Sequence, residues 1–194
     1  MVDVSLGFQP AGRTPAPPPL DLVQDFVNTE ITVWAVDDIA TPDALAHWLR
    51  SRGLLTDVAG VDASSFVRAR ALRRLLRELA SRNTHGVLPD VELRDEFAAI
   101  AAEARLGFEL GERGDVRLEP DDDGVNGALA EILSRVYEAQ ASGTWRRLKS
   151  CPGEHCGWLF FDGSRNASSR WCSMSICGNR TKTAAYRQRR RSGT

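Results

Sequence analysis

Four cysteines in the last third of the chain are the residues whose type and spacing indicate chemistry most clearly. They form two pairs, Cys151 with Cys156 and Cys172 with Cys177, and four residues lie between the members of each pair. Fifteen residues separate the two pairs, and the 150 residues before Cys151 contain no cysteine. Two such pairs can fold together and supply four thiolates to one tetrahedral zinc ion. The spacing therefore predicts one zinc ion bound by Cys151, Cys156, Cys172 and Cys177.

The predicted metal is structural rather than catalytic. Four sulfur ligands complete the coordination of zinc and leave no position open for a water molecule. His155 lies inside the first pair and could replace a cysteine, but with a complete shell we interpret it as a bystander or a neighbour of the ligands. Disulfide bonds are the alternative use of the cysteines, although a reducing cytoplasm disfavours them. Thiolate oxidation that expels the zinc would make the same residues a redox switch.

The cysteines lie in a strongly basic segment. Residues 145–194 carry 11 Lys and Arg side chains against two acidic ones, a formal charge of +9, whereas the first 144 residues carry 14 basic and 24 acidic side chains, a formal charge of −10. This asymmetry is typical of a basic module that binds a polyanion, attached to an acidic body that does not. We therefore expect a polyanion to bind the basic segment.

If that polyanion is DNA, the side chains expected to contact it, mainly at its phosphates, are Arg165, Arg170, Asn179, Arg180, Lys182, Arg187, Arg189 and Arg190. Asn179 has two interpretations, because its amide could read an adenine edge or cap a turn beside the metal. Six arginines on a predicted helix of the body, between residues 68 and 82, could also bind phosphate, but we expect them to pair with the acidic body.

The residues around the cysteines predict the elements that position them. The apolar run at 158–161 indicates a strand, and the basic stretch after Cys177 indicates a helix. A zinc knuckle, a strand, a second knuckle and a basic helix, in that order, are the layout of a treble-clef finger. Trp145, Trp158 and Trp171 could stack on single-stranded bases, but so small a module needs large side chains for its core, and we expect them to pack there.

Helical periodicity dominates the acidic body. Apolar residues at helical spacing predict helices from Leu20, from Pro42, over 62–83, over 90–104 and from Val125 towards Gly143. Alternating apolar and polar residues around the turn-like GERGD predict a β-hairpin between the last two. The expected fold class is α+β, with a mostly helical N-terminal domain that contains a β-hairpin, followed by a small C-terminal treble-clef zinc finger.

We expect three segments along the chain. Residues 1–19 hold five of the nine prolines and no apolar periodicity, which predicts a disordered Pro-rich leader. Residues 20–143 form the α+β domain, and residues 144–194 form the zinc finger with its basic C-terminal helix.

Several classes of protein are disfavoured by the sequence. No apolar stretch approaches the roughly 20 residues that span a bilayer, so no membrane partner is expected. The first ten residues have neither the basic start nor the apolar core of a secretion signal, so we expect a cytoplasmic protein. The body contains no Gly-rich phosphate loop, no nucleophile elbow and no paired-histidine zinc motif. We therefore expect no enzyme and assign no catalytic residue, with an enzymatic activity of the body as the alternative.

The basic segment resembles the CGNR zinc finger, which is named for the residues found here at 177–180. WLF at 158–160 and WCSM at 171–174 belong to the same resemblance. Upstream, LDLVQDFVNT at 20–29 resembles the opening of the ABATE domain, which accompanies this finger in stress-induced transcription regulators of bacteria. The resemblance implies a transcription regulator that binds duplex DNA. Its body would sense a small-molecule effector or form a homodimer, and a finger that binds protein or RNA is the alternative.

Overall fold

A computed structural model of the protein describes residues 9–56 and 60–191. It contains six α-helices and three antiparallel hairpins in these ranges, and it confirms the α+β class. The helices are α1 (Leu20–Val27), α2 (Pro42–Ser51), α3 (Ala63–His85), α4 (Val91–Glu103), α5 (Val125–Ala141) and α6 (Asn179–Arg191). The strands are β1 (Glu30–Ile31), β2 (Val36–Asp37), β3 (Leu106–Leu110), β4 (Val116–Pro120), β5 (Leu148–Ser150) and β6 (Leu159–Phe161).

Local capping signals explain where three helices of the body begin. The side chains of Thr41, Asp62 and Asp90 accept hydrogen bonds from the backbone N–H groups that α2, α3 and α4 leave free at their first turns. The buried stripes of α1, α3 and α5 meet in one core, in which the rings of Phe26 and Trp48 lie 5.5 Å apart. All five predicted helices of the body are therefore confirmed.

The sequence predicted one of the three hairpins completely. β3 pairs with β4 from Leu106 opposite Pro120 to Leu110 opposite Val116, as the alternation around GERGD indicated. β1 and β2, which form a short hairpin with Trp34 at its turn, were not predicted. Each of these strands has only two residues, so neither shows a detectable period.

Buried arginines of α3 hold the β1–β2 hairpin in place. The guanidinium of Arg73 is 2% exposed and donates to both carboxylate oxygens of Asp37, at 2.6 and 2.9 Å. Arg77 pairs with Glu30 at 2.5 Å and donates to the backbone carbonyl of Val27 at 2.7 Å. These two arginines are therefore structural groups of the body, and they are not available to bind phosphate.

We expect Asp37→Asn to lower the free energy of unfolding by about 2 kcal/mol at neutral pH, because Arg73 would keep its charge in a buried position and lose its bidentate partner. The hydrogen bond from Arg73 holds the pKa of Asp37 below its usual 3.8. The stabilisation is thus present above that value and is lost as the pH falls through the lowered pKa. Chemical denaturation of both proteins across this pH range checks the prediction. A difference in the free energy of unfolding between the two proteins that grows as the pH falls would contradict the prediction.

The finger and the body share their cores. Leu148 of β5 and Leu159 of β6 lie in the core of the body, whereas Ile31 of the body lies with Trp158 and Phe160 in the core of the finger. The amide of Asn28 extends this contact, because it accepts from the N–H of Leu159 at 2.8 Å and donates to its carbonyl at 2.9 Å. The metal-binding module therefore packs directly against the helical body.

The segment that precedes α1 also contacts the finger. Residues 1–8 of the expected disordered leader lie outside the described residues; within 9–19, Gln9 and Ala16 are buried and Arg13 is half-buried. Gln9 and Arg13 contact the finger through polar groups, which hydrophobic periodicity does not detect. The guanidinium of Arg13 lies 4.7 Å from the ring centroid of Phe160. It donates to the backbone carbonyls of Phe161, Trp171 and Cys172 at 3.0 to 3.1 Å.

Candidate metal centre and nucleic-acid interface

The four cysteine sulfurs converge on one point. All four Sγ atoms lie within 4.8 Å of one another. The Sγ atom of Cys172 lies 3.7 Å from that of Cys156 and 3.7 Å from that of Cys177. Zn–S bonds of about 2.3 Å at tetrahedral angles place sulfur atoms about 3.8 Å apart. The arrangement is a four-cysteine metal-binding cluster that fits one structural zinc ion.

A tight turn after β5 forms the first knuckle. Cys151 continues the pairing of β5 with β6, because its N–H donates to the carbonyl of Trp158 at 2.9 Å. The chain then turns back, and the N–H of Cys156 donates to the carbonyl of Gly153 at 2.9 Å. His155 and Gly157 both have a left-handed backbone, with φ of 58° and 59°. This turn brings Cys156 back towards Cys151 and leaves the imidazole of His155 outside the cluster, 75% exposed.

A single π-helical turn, Met174–Gly178, forms the second knuckle. The hydroxyl of Ser173 caps it by accepting from the N–H of Ile176 at 3.2 Å. The carbonyl of Ser173 accepts from the N–H of Cys177 at 3.0 Å. Because α6 begins at Asn179, directly after this turn, the metal cluster lies at the start of the basic helix. This order of elements confirms the treble-clef prediction.

The chemistry of the cluster suits a divalent cation. Cys151, Cys172 and Cys177 are buried, and Cys156 is partly buried. Burial raises the pKa of the Cys177 thiol, and the charge of the Cys151 sulfur raises it further. Four thiolates this close therefore repel one another unless a cation lies among them. A zinc ion supplies this positive charge and binds four sulfur ligands in the tetrahedral geometry that these sulfurs form.

A buried ion pair anchors the loop that follows β6. Asp162 is fully buried, and its carboxylate accepts from Nζ of Lys149 at 2.8 Å and from the N–H groups of Ser164 and Ser169 at 3.0 and 2.8 Å. Burial alone would raise the pKa of Asp162, but these hydrogen bonds outweigh it and hold the pKa below its usual range. The loop from 163 to 170 is thereby fixed on the finger.

Every predicted DNA-contacting side chain is exposed. Two of them, Arg165 and Arg170, lie on the loop that Asp162 anchors. The other six lie on α6, which contributes no buried side chain. The guanidinium of Arg190 lies 6.0 Å from the ring centroid of Tyr186. Within the described part of the chain, no acidic side chain lies close enough to Arg180, Lys182 or Arg187 to form a salt bridge. The helix therefore presents its positive charge to solvent.

The tryptophans of the finger do not form a stacking surface. Trp145 and Trp158 are buried and Trp171 is half-buried, as the core-packing prediction required. The sequence did not assign a role to Lys149 and Asp162, whose opposite charges 13 residues apart are a weak signal on their own. It also missed Arg13, since a lone arginine in a proline-rich segment has no pattern to indicate its partners.

Two family models match the chain. A model described as ABATE, putative stress-induced transcription regulator, matches residues 20–142, and a model of the CGNR zinc finger matches residues 147–190. Neither description is that of an enzyme. None of the curated proteins compared with the chain matches it. No helix within residues 9–56 and 60–191 has the length and apolar character needed to span a bilayer.

Proposed function

Because this chain belongs to the ABATE family of putative stress-induced transcription regulators and ends in a CGNR zinc finger, we propose that it binds duplex DNA through that finger. Cys151, Cys156, Cys172 and Cys177 hold one structural zinc ion in this proposal. The zinc sets the position of α6, and α6 with the 163–170 loop contacts the DNA. The protein acts in the cytoplasm as a regulator and catalyses no reaction.

The exposed basic face of α6 beside the metal cluster is the observation that carries the proposal. Arg180, Arg187 and Arg191 lie seven and four residues apart and thus share one face of the helix. A helix of this width fits the major groove of B-form DNA, where its arginines reach the phosphates on either side. Arg165 and Arg170, on the anchored loop, extend the same positive surface in the proposal.

Asn179 has a defined place in this scheme. Its backbone is helical, with φ of −69° and ψ of −39°, and it joins the π-helical turn to α6. Its side chain is exposed, and no hydrogen bond holds it within the described residues. We therefore favour a contact between this amide and a base edge over a capping role.

The helical body is the regulatory part of the proposal. It is fixed to the finger through shared cores, so a ligand or a second copy bound to the body can reach α6 without a flexible joint. We infer that the body senses an effector or forms a homodimer, and that either event alters DNA binding. An acidic body also disfavours contact with DNA outside the finger.

Fluorescence anisotropy of the zinc-loaded full chain on duplex DNA tests the proposal. Each phosphate that the protein neutralises releases counterions, so four to six contacts predict a log-log slope of affinity against salt of about −4 to −5. Single-stranded DNA and RNA of the same length serve as comparators. A shallow salt dependence, or tighter binding to single-stranded RNA, would contradict the proposal and favour the alternative of an RNA-binding finger.

A further inference from the structure

We propose that a groove between the body and the finger binds a small apolar molecule with one anionic group. The groove has a volume of about 330 Å³ and lies where the β1–β2 turn, residues 10–11 and the metal cluster meet. This volume is within the range of about 300 to 1,000 Å³ typical of small-molecule sites. None of the residues that line it has a role in the DNA contact proposed above, with the exception of Arg180.

The walls of the groove are apolar and aromatic. Trp34 and Val33 come from the β1–β2 turn, Trp158 from the finger, and Ile176 from the π-helical turn. Trp34 and Ile176 are each 47% exposed. Large apolar side chains exposed together on a rigid part of a protein mark a surface that a partner covers. Here the concave shape and small volume favour a small molecule over a macromolecule.

Arg180 determines the charge of the ligand. It is the one cationic side chain among the described residues that line the groove, and it is exposed at the first turn of α6. No salt bridge holds it to the rest of the described chain. The cysteine sulfurs form another part of the wall and are negative when they bind zinc. The apolar part of the ligand should therefore face the sulfurs and Trp34, and its anionic group should face Arg180.

Isothermal titration calorimetry of the zinc-loaded full chain tests this site without DNA. The probes are 2-naphthoate and its neutral analogue 2-naphthamide, which differ mainly in charge. We expect 2-naphthoate to bind once per chain and roughly tenfold more tightly than the amide. Arg180→Gln should abolish that preference, and Trp34→Ala should weaken both probes. Phe108→Ala, which removes an 83% exposed ring on β3, is the matched control and should change neither.

Several results would overturn the assignment. Equal affinities for the acid and the amide would show that Arg180 does not recognise the anionic group of the ligand. Absence of binding, or binding that Trp34→Ala leaves unchanged, would remove the site itself. Binding seen only after deletion of residues 1–8 would assign the groove to the chain's own N-terminal segment.

A second readout links the groove to DNA and rests on the function proposed above. Arg180 cannot pair with the ligand and with a phosphate at once, so saturating 2-naphthoate should weaken duplex binding severalfold at low salt. Ligand binding that leaves the affinity for duplex DNA unchanged would show that the groove does not regulate DNA binding. If the protein does not bind duplex DNA at all, the function proposed above is wrong, but the calorimetric test of the groove remains valid.

Discussion

Cys172→Ser should release the zinc and unfold the finger. Cys172 is buried, and its sulfur lies 3.7 Å from two of its three neighbours, so a serine would leave three thiolates around an incomplete shell. Structural zinc contributes about 10 to 16 kcal/mol to the folding of small finger peptides. We expect the variant to lose at least about 3 kcal/mol of unfolding free energy.

The effect should spread from the finger into its contact with the body. Ile31 would lose its packing against Trp158 and Phe160, whereas the core among α1, α3 and α5 would keep its own contacts. We therefore expect circular dichroism to show that the body keeps most of its helix content. The melting temperature of the variant should be lower. Ser168→Ala, an exposed change in the same finger, is the control. Elemental analysis under reducing conditions that still finds one zinc per Cys172→Ser chain would contradict the ligand assignment.

Removing three arginines from one face of α6 should nearly abolish DNA binding at moderate salt. The triple change to glutamine at Arg180, Arg187 and Arg191 deletes three proposed phosphate contacts from exposed positions. We expect duplex affinity to fall roughly a hundredfold and the salt slope to become shallower by about 2.7. Because these side chains are exposed, zinc content and thermal stability should stay unchanged.

The matched control changes the same net charge elsewhere. Arg105, Arg113 and Arg117 are exposed on or beside the β3–β4 hairpin of the body. Their replacement by glutamine should change duplex affinity by less than severalfold, since they lie outside the proposed interface. Equal losses in the two triple variants would mean that overall charge, and not the face of α6, accounts for binding.

Features encoded in a few neighbouring residues were predictable from the sequence. The caps at Thr41, Asp62 and Asp90 mark the starts of helices because each side chain bonds to N–H groups two or three residues away. The cysteine cluster was predictable for a related reason. The spacing within each pair is a property of one local turn. The two turns must then come together, because one zinc ion binds sulfurs from both.

Features that depend on contacts across the fold were not predictable. Arg13 and Cys172 are 159 residues apart, and a guanidinium that bonds to three backbone carbonyls has no signature in residue types. The β1–β2 hairpin is likewise held by α3 arginines from outside, through Asp37 and Glu30. The groove beside Trp34 exists because this hairpin, the leader and the finger meet. It could not be inferred from any one of them.

The most direct test of the central claim is duplex DNA binding by one preparation before metal chelation, after it and after zinc is restored. The account attributes binding to a zinc-ordered finger that holds α6 in place. It therefore predicts that tight duplex binding is lost on chelation and recovered with zinc, in proportion to the metal bound. Unchanged affinity in the metal-free protein would show that the arginines bind DNA as an unstructured basic segment, and would contradict the account.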